Sequence, residues 1–157
     1  MNFNIISPKN INDINKSIKR NHFNIVIGGN EIINRKIVEN KNVQLLLDSE
    51  PNEEDFMHSR NSGLNQVLVK LAKKNNIIIG FNFNRILKLD NKEKAKLFGK
   101  IMQNIRLCNK YKVKMHIINF IKDEFDERNI KDLKDFGLTL GMLPGKFEVI
   151  QIKNEVI

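Results

Sequence analysis

Short apolar runs alternate along the chain with stretches whose apolar residues recur three and four apart. Phe3–Ile6 reads as a strand closed by Ser7-Pro8, and residues 10–19 carry Ile11, Ile14 and Ile18 at helical spacing. Phe23–Ile27 reads as a strand ending at Gly28-Gly29, followed by a helix over 31–40 with Ile32, Ile33 and Ile37 inward. Residues 43–47 form a third strand with almost no polar interruption, as a strand covered on both faces requires. Residues 48–59 are a polar loop, and 64–74 a helix with Leu64, Val67, Leu68 and Leu71 on one side. Then come a buried strand over 76–81, a short helix over 84–87 and the longest helix, Asn91–Tyr111. The pattern closes with a strand over 115–119, a helix over 130–136 and short strands over 138–140 and 148–152.

Six or seven apolar strands alternating with helices predict an α/β protein with a parallel sheet. The count comes near a barrel, and an open doubly wound sheet fits the pattern as well. No Pro/Gly/Ser-rich linker or repeat divides the chain, so residues 1–157 read as a single domain. In either architecture the loops at the strand C-termini are where function belongs. They hold Gly28-Gly29, residues 48–63, residues 82–85 and residues 119–128.

Composition narrows the choice of partner. Lys+Arg number 27 and Asp+Glu 18, a formal charge of +9, which favours an anionic partner such as RNA or DNA. Asn, Ile and Lys are all heavily used, so part of the lysine excess is equally readable as codon bias. On a helical wheel of Asn91–Tyr111, Ala95, Leu97, Phe98, Ile101, Met102, Ile105 and Cys108 share one face. Lys92, Lys96, Lys100, Arg106 and Lys110 lie on the other, with Gln103 and the apolar Leu107. Such a stripe suits tracking of phosphates, and it suits a lysine-rich surface helix equally well. Arginine is scarcer than lysine. Arg35, Arg60, Arg85, Arg106 and Arg128 are therefore the stronger phosphate candidates, with Lys70 and Lys110 beside them. No apolar run is long enough to span a bilayer, and nothing at the start reads as a signal peptide. A single cysteine, Cys108, excludes an internal disulfide framework and suits the cytoplasm.

The chain carries little self-contained chemistry. His22, His58 and His116 form no HxH or HExxH pair, so no metal-site spacing exists. His22 and His116 read as structural, and His58 as a solvated loop residue. Gly28-Gly29 between strand and helix suits an anion cradle, but a tight turn needing glycine is the better reading without a GxGxxG or P-loop pattern. The carboxylates Asp48, Glu50, Glu53, Glu54 and Asp55 read as a solvated loop rather than an acid–base set. Cys108 reads as a buried thiol, and Ser62 lacks a nucleophile elbow.

Five pieces in order carry a family resemblance: Gly28-Gly29-Asn30-Glu31 with Asn34-Arg35; the strand Val43-Gln44-Leu45-Leu46-Leu47; Arg60-Asn61-Ser62-Gly63-Leu64-Asn65; Ile77-Ile78-Ile79-Gly80-Phe81; and Asn104-Ile105-Arg106-Leu107 with Lys110-Tyr111. Across nearly its whole length the chain resembles ribonuclease P protein component 3, a barrel-type subunit of archaeal and eukaryotic ribonuclease P. Gln66 stands where that family commonly has a histidine, and Asn119-Phe120-Ile121 replaces its small-residue loop, whereas Asp126 and Arg128 fit its acidic/arginine pair. The resemblance implies a TIM-barrel-like βα repeat in reduced form. The first βα unit is expected to be missing, with the two sheet edges either paired with each other or covered by a partner. It also implies a subunit of an endoribonuclease in which RNA performs the removal of 5′ leaders from precursor tRNA. Mg²⁺ is then expected on the RNA, with no cofactor or metal and no catalytic residue on the protein. Implied partners are the ribonuclease P RNA, precursor tRNA and protein component 2, as a heterodimer or dimer of heterodimers, with no membrane. Expected RNA contacts are Arg35, Arg60, Lys70, Arg85, Arg106, Lys110 and Arg128. Gly28, Gly29, Asn61, Gly63 and Asn65 form the structural motif, with Gly63 allowing backbone to approach RNA. The alternative from another class is a small barrel enzyme acting on a phosphorylated metabolite, using Gly28-Gly29 as its cradle.

Overall fold

A computed structural model describes residues 1–153. Six strands form one parallel sheet in chain order: β1 (Phe3–Ile6), β2 (Phe23–Ile27), β3 (Leu45–Leu47), β4 (Ile78–Asn82), β5 (Met115–Ile121) and β6 (Phe147–Lys153). The sheet curls into a half-barrel. Helices α1 (Ile11–Ser17), α2 (Glu31–Glu39), α3 (Gln66–Lys74), α4 (Phe83–Leu87), α5 (Asn91–Tyr111) and α6 (Ile130–Thr139) connect the strands. The sheet ends at β1 and β6, which do not pair with each other among the described residues. Of the expected ways to deal with the two edges, mutual pairing is therefore absent.

Strand alternation divides the core in two. Val26, Leu46, Ile79, Phe81, Met115 and Ile117 face outward into the layer under the helices. Ile25, Leu45, Leu47, Ile118, Phe120 and Ile152 fill the concave side as a separate cluster. The near-unbroken apolar character of these strands follows, because both faces are covered. Gly80 keeps the concave side closed: a Cβ there would lie 2.5 Å from Leu45 Cδ2.

The abundant asparagine has structural work. Asn10, Asn30, Asn65, Asn82 and Asn129 each cap a helix by accepting backbone N–H groups, and Asp90 caps α5 with Glu93 in a capping box. Near the N-terminal edge of the sheet, Asn4 Nδ2 donates to Asn24 Oδ1 at 2.7 Å and Asn24 Nδ2 to Gln44 Oε1 at 3.2 Å. This polar ladder crosses β1, β2 and β3.

Several boundaries differ from the sequence reading. Residues 138–140 are not a strand, because α6 runs on to Thr139 with Leu133 and Leu140 both buried one helical face apart. Residue 137 is a glycine inside that helix because Phe147 and Ile117 press on it; a Cβ would come within 2.6 Å of the Phe147 ring. β3 is three residues long and β5 reaches Ile121. In α2, Ile32 is exposed while Asn34 is fully buried. In α3 the buried residues are Leu68, Val69 and Ala72, and Val67 is exposed. Both helices are rotated from the purely apolar reading. α2 turns a polar side chain inward, and α3 is wedged between α2 and α5.

Candidate functional site

The C-terminal edge of the sheet is organised around residues 48–65, between β3 and α3. Asp48 adopts a left-handed conformation, φ 53°, and the chain then dives inward. Ser49, Glu50 and Pro51 are buried, so the expected solvated loop begins only at Asn52. Glu50 is 1% exposed, and its Oε1 accepts from Asn104 Nδ2 of α5 at 2.9 Å. Arg85, in α4, places Nη1 3.7 Å from Glu50 Oε2 and 3.8 Å from Asp48 Oδ1. Its Nη2 donates to the Glu50 carbonyl and to Asn52 Oδ1, both at 3.0 Å. Burial pushes the Glu50 carboxyl up to about 7; the Asn104 hydrogen bond and Arg85 oppose that shift, and the charge of Asp48 adds to it. Burial also raises Asp48, against the pull of Arg85 and Asn82.

Asn34 ties this loop to the turn after β2. Its Nδ2 donates to the carbonyls of Ser49 and Gly63, each at 2.8 Å, and its Oδ1 accepts from Gly29 N at 3.1 Å. Gly28 leaves the room for that side chain, since a Cβ would lie 2.2 Å from Asn34 Oδ1. Gly63 has φ +78°, and its Cβ would lie 1.9 Å from the Ser49 carbonyl. Asn104 adds Nδ2 donation to the Ser62 carbonyl at 2.8 Å. Asn61 N donates to Asp55 Oδ1, and Asn65 Nδ2 donates to Glu31 Oε1 at 2.7 Å. Gly29 and Gly63 are thus tied together through Asn34, for which Gly28 leaves room, while Asn61 bonds within the loop to Asp55 and Asn65 joins the start of α3 to Glu31 of α2. Gly63 admits the chain's own backbone rather than an outside ligand. The space at Gly28 is likewise occupied by Asn34, and the Gly29 N–H is spent on the Asn34 Oδ1, which supports the tight-turn reading over an anion cradle.

The same loop takes up two of the five cations of the basic stripe on α5. Lys100 is buried and donates to the carbonyls of Pro51 at 2.8 Å and Glu53 at 2.6 Å. Lys96 pairs with Glu54 at 3.2 Å. Gln103 donates to the Arg60 carbonyl, and Arg60 Nη1 donates to the Gly99 carbonyl at 3.1 Å. The guanidinium lies flat on α5 because Gly99 has no side chain: a Cβ would be 2.8 Å from Arg60 Cζ. Arg60 is exposed yet pins the loop, so its first role is in the protein's own architecture. The stripe was open to two readings, phosphate tracking or a lysine-rich surface; at Lys96 and Lys100 the structure shows a third use, holding the chain's own loop.

The other candidates scatter. Arg35 pairs with Glu39 at 2.9 Å, one turn on in α2. Arg128 donates to the carbonyls of Phe125 and Glu127 rather than to Asp126, whose Oδ2 accepts from Lys122 N. Lys70 and Lys110 each set an ammonium 5.4 Å from the centre of the Tyr111 ring, and Arg106 lies exposed one turn before Lys110. Lys70, Arg106 and Lys110 thus fall on adjoining parts of α3 and α5, away from the knot.

The histidines add no site. His116 is buried in β5 with Nε2 3.6 Å from Glu148, and burial lowers its pKa against the pull of that carboxylate. Cys108 is fully buried, and burial raises its thiol pKa. Among the described residues no cluster of three or more His, Cys, Asp or Glu side chains is placed to hold a metal ion. No helix among them is long and apolar enough to cross a membrane.

Sequence reading named the glycines and Arg60 but missed Asn34, Asn104 and the burial of Glu50. The usable signal was indirect: Asn34 and Asn104 each sit within a stretch that carries the family resemblance, at positions that belong to the inward face of an amphipathic helix.

Fold and site together define a reduced parallel βα barrel whose strand-end loop is locked by a buried polar network. No protein-family model matches the chain. Ribonuclease P protein component 3 of Methanococcus maripaludis strain S2 is 28% identical, covering 97% of this chain and 65% of the relative. The strain C6 protein is 32% identical over 86% of this chain and 57% of its own length. That of Methanocaldococcus jannaschii is 30% identical over 85% and 56%. A chain in the cryo-EM structure of archaeal ribonuclease P with mature tRNA superposes with a TM-score of 0.72 and 27% identity. That superposition covers 88% of this chain and 59% of the other. The chain is a homologue of ribonuclease P protein component 3, and it spans about three-fifths of the length of the relatives it matches.

Proposed function

We propose that the chain acts as a protein subunit of ribonuclease P, supporting RNA-catalysed removal of 5′ leaders from precursor tRNA. The observation that carries this reading is the 0.72 superposition, at 27% identity, on a chain of an archaeal ribonuclease P structure. A motif knot built from Asn34, Gly63 and Asn104 supports it, because those residues come from three of the pieces that carry the family resemblance. In this reading the protein binds the catalytic RNA and a component 2 partner in the cytoplasm, and the reaction's Mg²⁺ belongs to the RNA. Arg85 holds Asp48 and Glu50 and Arg60 holds α5, so their contribution to RNA binding is to shape the loop. Arg35 and Arg128 stand at the periphery of the same edge as secondary contacts.

The test is reconstitution of the ribonuclease P RNA with component 2, with and without this chain, assayed for precursor-tRNA cleavage over a magnesium series. Addition of the chain is expected to raise cleavage and shift the magnesium requirement downward. Identical cleavage curves with and without it contradict the proposal.

A further inference from the structure

The distribution of carboxylates is as uneven as that of the cations. No Asp or Glu occurs between Asp55 and Asp90, nor between Glu93 and Asp123. The fold sets the middle of the first acid-free span, α3, against the second half of α5, in the second span. Lys73 Nζ donates to the Lys112 carbonyl at 2.8 Å, and Lys70 and Lys110 flank the Tyr111 ring from the two helices. Lys70, Lys73, Lys74, Arg106, Lys110 and Lys112 are all exposed there, with Lys114 beside Lys73 where β5 begins. None of them pairs with a carboxylate among the described residues. The carboxylate at the end of the neighbouring α2, Glu39, is already shared by Arg35 and Lys36.

Codon bias would act on the whole chain alike. Elsewhere Arg35, Lys96 and Lys153 are matched to Glu39, Glu54 and Glu127, while lysines such as Lys9 and Lys131 stand unpaired among the described residues. Only this face, however, is assembled from two spans that hold no Asp or Glu at all. Cations at the ends of α3 and α5 gain from the helix dipoles, but only within the last turn. That accounts for Lys73, Lys74 and Lys110, not for Lys70, Arg106 or Lys114. Like charges gathered without counter-charges repel one another, and an anionic partner relieves that repulsion while releasing its counterions.

We infer that this face, formed by α3 and the C-terminal half of α5 at the N-terminal edge of the sheet, is a docking surface for the phosphate backbone of RNA. It rests on the ribonuclease P reading. Tyr111 is a positioning residue whose ring centre lies 5.4 Å from the Lys70 ammonium and 5.4 Å from the Lys110 ammonium. The surface lies at the opposite end of the strands from the loop knot, where a barrel protein ordinarily places its site.

The test measures binding of the full chain to a ribonuclease P RNA transcript from 50 to 300 mM salt. The triple variant Lys70→Gln/Arg106→Gln/Lys110→Gln is compared with the control Lys9→Gln/Lys131→Gln/Lys134→Gln, three exposed lysines outside this face. Loss of three phosphate contacts is expected to flatten the slope of log affinity against log salt by about 2–3 and to weaken binding by about tenfold or more at 100 mM. The control is expected to stay within about threefold of wild type, and all three proteins to melt alike, since the substituted side chains are exposed. Tyr111→Phe should retain the wild-type slope and Tyr111→Ala should lose part of it. An unchanged slope in the first triple variant, with a loss in the control, overturns the location but leaves the subunit reading standing. Absence of salt-dependent RNA binding by the wild-type chain overturns both. Displacement of RNA by polyglutamate of matched charge at equal concentration overturns the choice of RNA over an acidic protein.

Discussion

The two ends of the half-barrel treat positive charge in opposite ways. At the C-terminal edge of the strands, Arg60, Arg85, Lys96 and Lys100 all reach back to the protein's own carbonyls or carboxylates. At the N-terminal edge, the cations of α3 and late α5 have no carboxylate partner among the described residues. One helix, α5, serves both ends. Its Lys96, Gly99, Lys100, Gln103 and Asn104 grip the loop, and beyond them Arg106 and Lys110 face outward. A uniform basic stripe in the sequence is therefore two differently partnered segments in the structure. What separates them is whether the fold brings the oxygens of the 48–65 loop within reach; at the other end only Lys73 finds a backbone oxygen, the Lys112 carbonyl, among the described residues.

The sharpest way to break the contrast is to dissolve the knot. Gly63→Ala forces a Cβ onto the Ser49 carbonyl in a left-handed conformation, and loss of at least about 3 kcal/mol is expected in urea denaturation. A fully folded, equally stable variant would show that the loop is not locked as described. Asn34→Ala strands two carbonyls and one N–H, and a loss of about 2–4 kcal/mol is expected by the same measurement.

Glu50 gives the comparison a pH axis. Its folded-state value of about 7 lies above the ordinary carboxylate value of 4.5, so the folded state holds a proton that the unfolded chain releases. Stability from this group is intact below about pH 4.5 and is lost as pH rises through 7, by about 3 kcal/mol in total. Glu50→Gln is therefore expected to exceed wild type in stability at pH 8 and to match it near pH 4. His116, lowered by burial, contributes the opposite slope in both proteins and cancels in the difference. Parallel stability–pH curves for the two proteins would rule out an ionising Glu50.

The smallest of these structural effects is at Lys100. Lys100→Met keeps the buried stem and removes the donors to Pro51 and Glu53, and a loss of about 1–3 kcal/mol is expected with RNA affinity within about threefold of wild type. A large fall in affinity without a fall in stability would merge the two ends into one surface.

The strand–helix alternation was readable because it depends on local periodicity. β1, β2 and α5 have the boundaries that the apolar pattern predicts. Residues 138–140 were misread because Leu138 and Leu140 alternate like a strand over three residues, too short a window to separate from a helix end. The site was legible in its glycines and not in its asparagines. Gly28 and Gly63 stand out at any turn. Asn34 becomes inward-facing only when Ser49 and Gly63, 15 and 29 residues away, arrive beside it. Glu50 looked solvated for the same reason, since its partner Asn104 lies 54 residues on. Charge patterning failed in a similar way. Lys100 and Lys110 are alike on a helical wheel, and only the neighbouring loop distinguishes them.

The most direct measurement is a lysine-reactivity footprint of the chain, by acetylation and mass spectrometry, with and without ribonuclease P RNA. Protection by RNA at Lys70, Lys73, Lys74, Lys110, Lys112 and Lys114 is predicted, with Lys100 unreactive in both states and Lys96 unchanged. Protection concentrated at Lys88, Lys96 and Lys122 on the opposite edge, with the α3/α5 lysines fully reactive, would contradict the account.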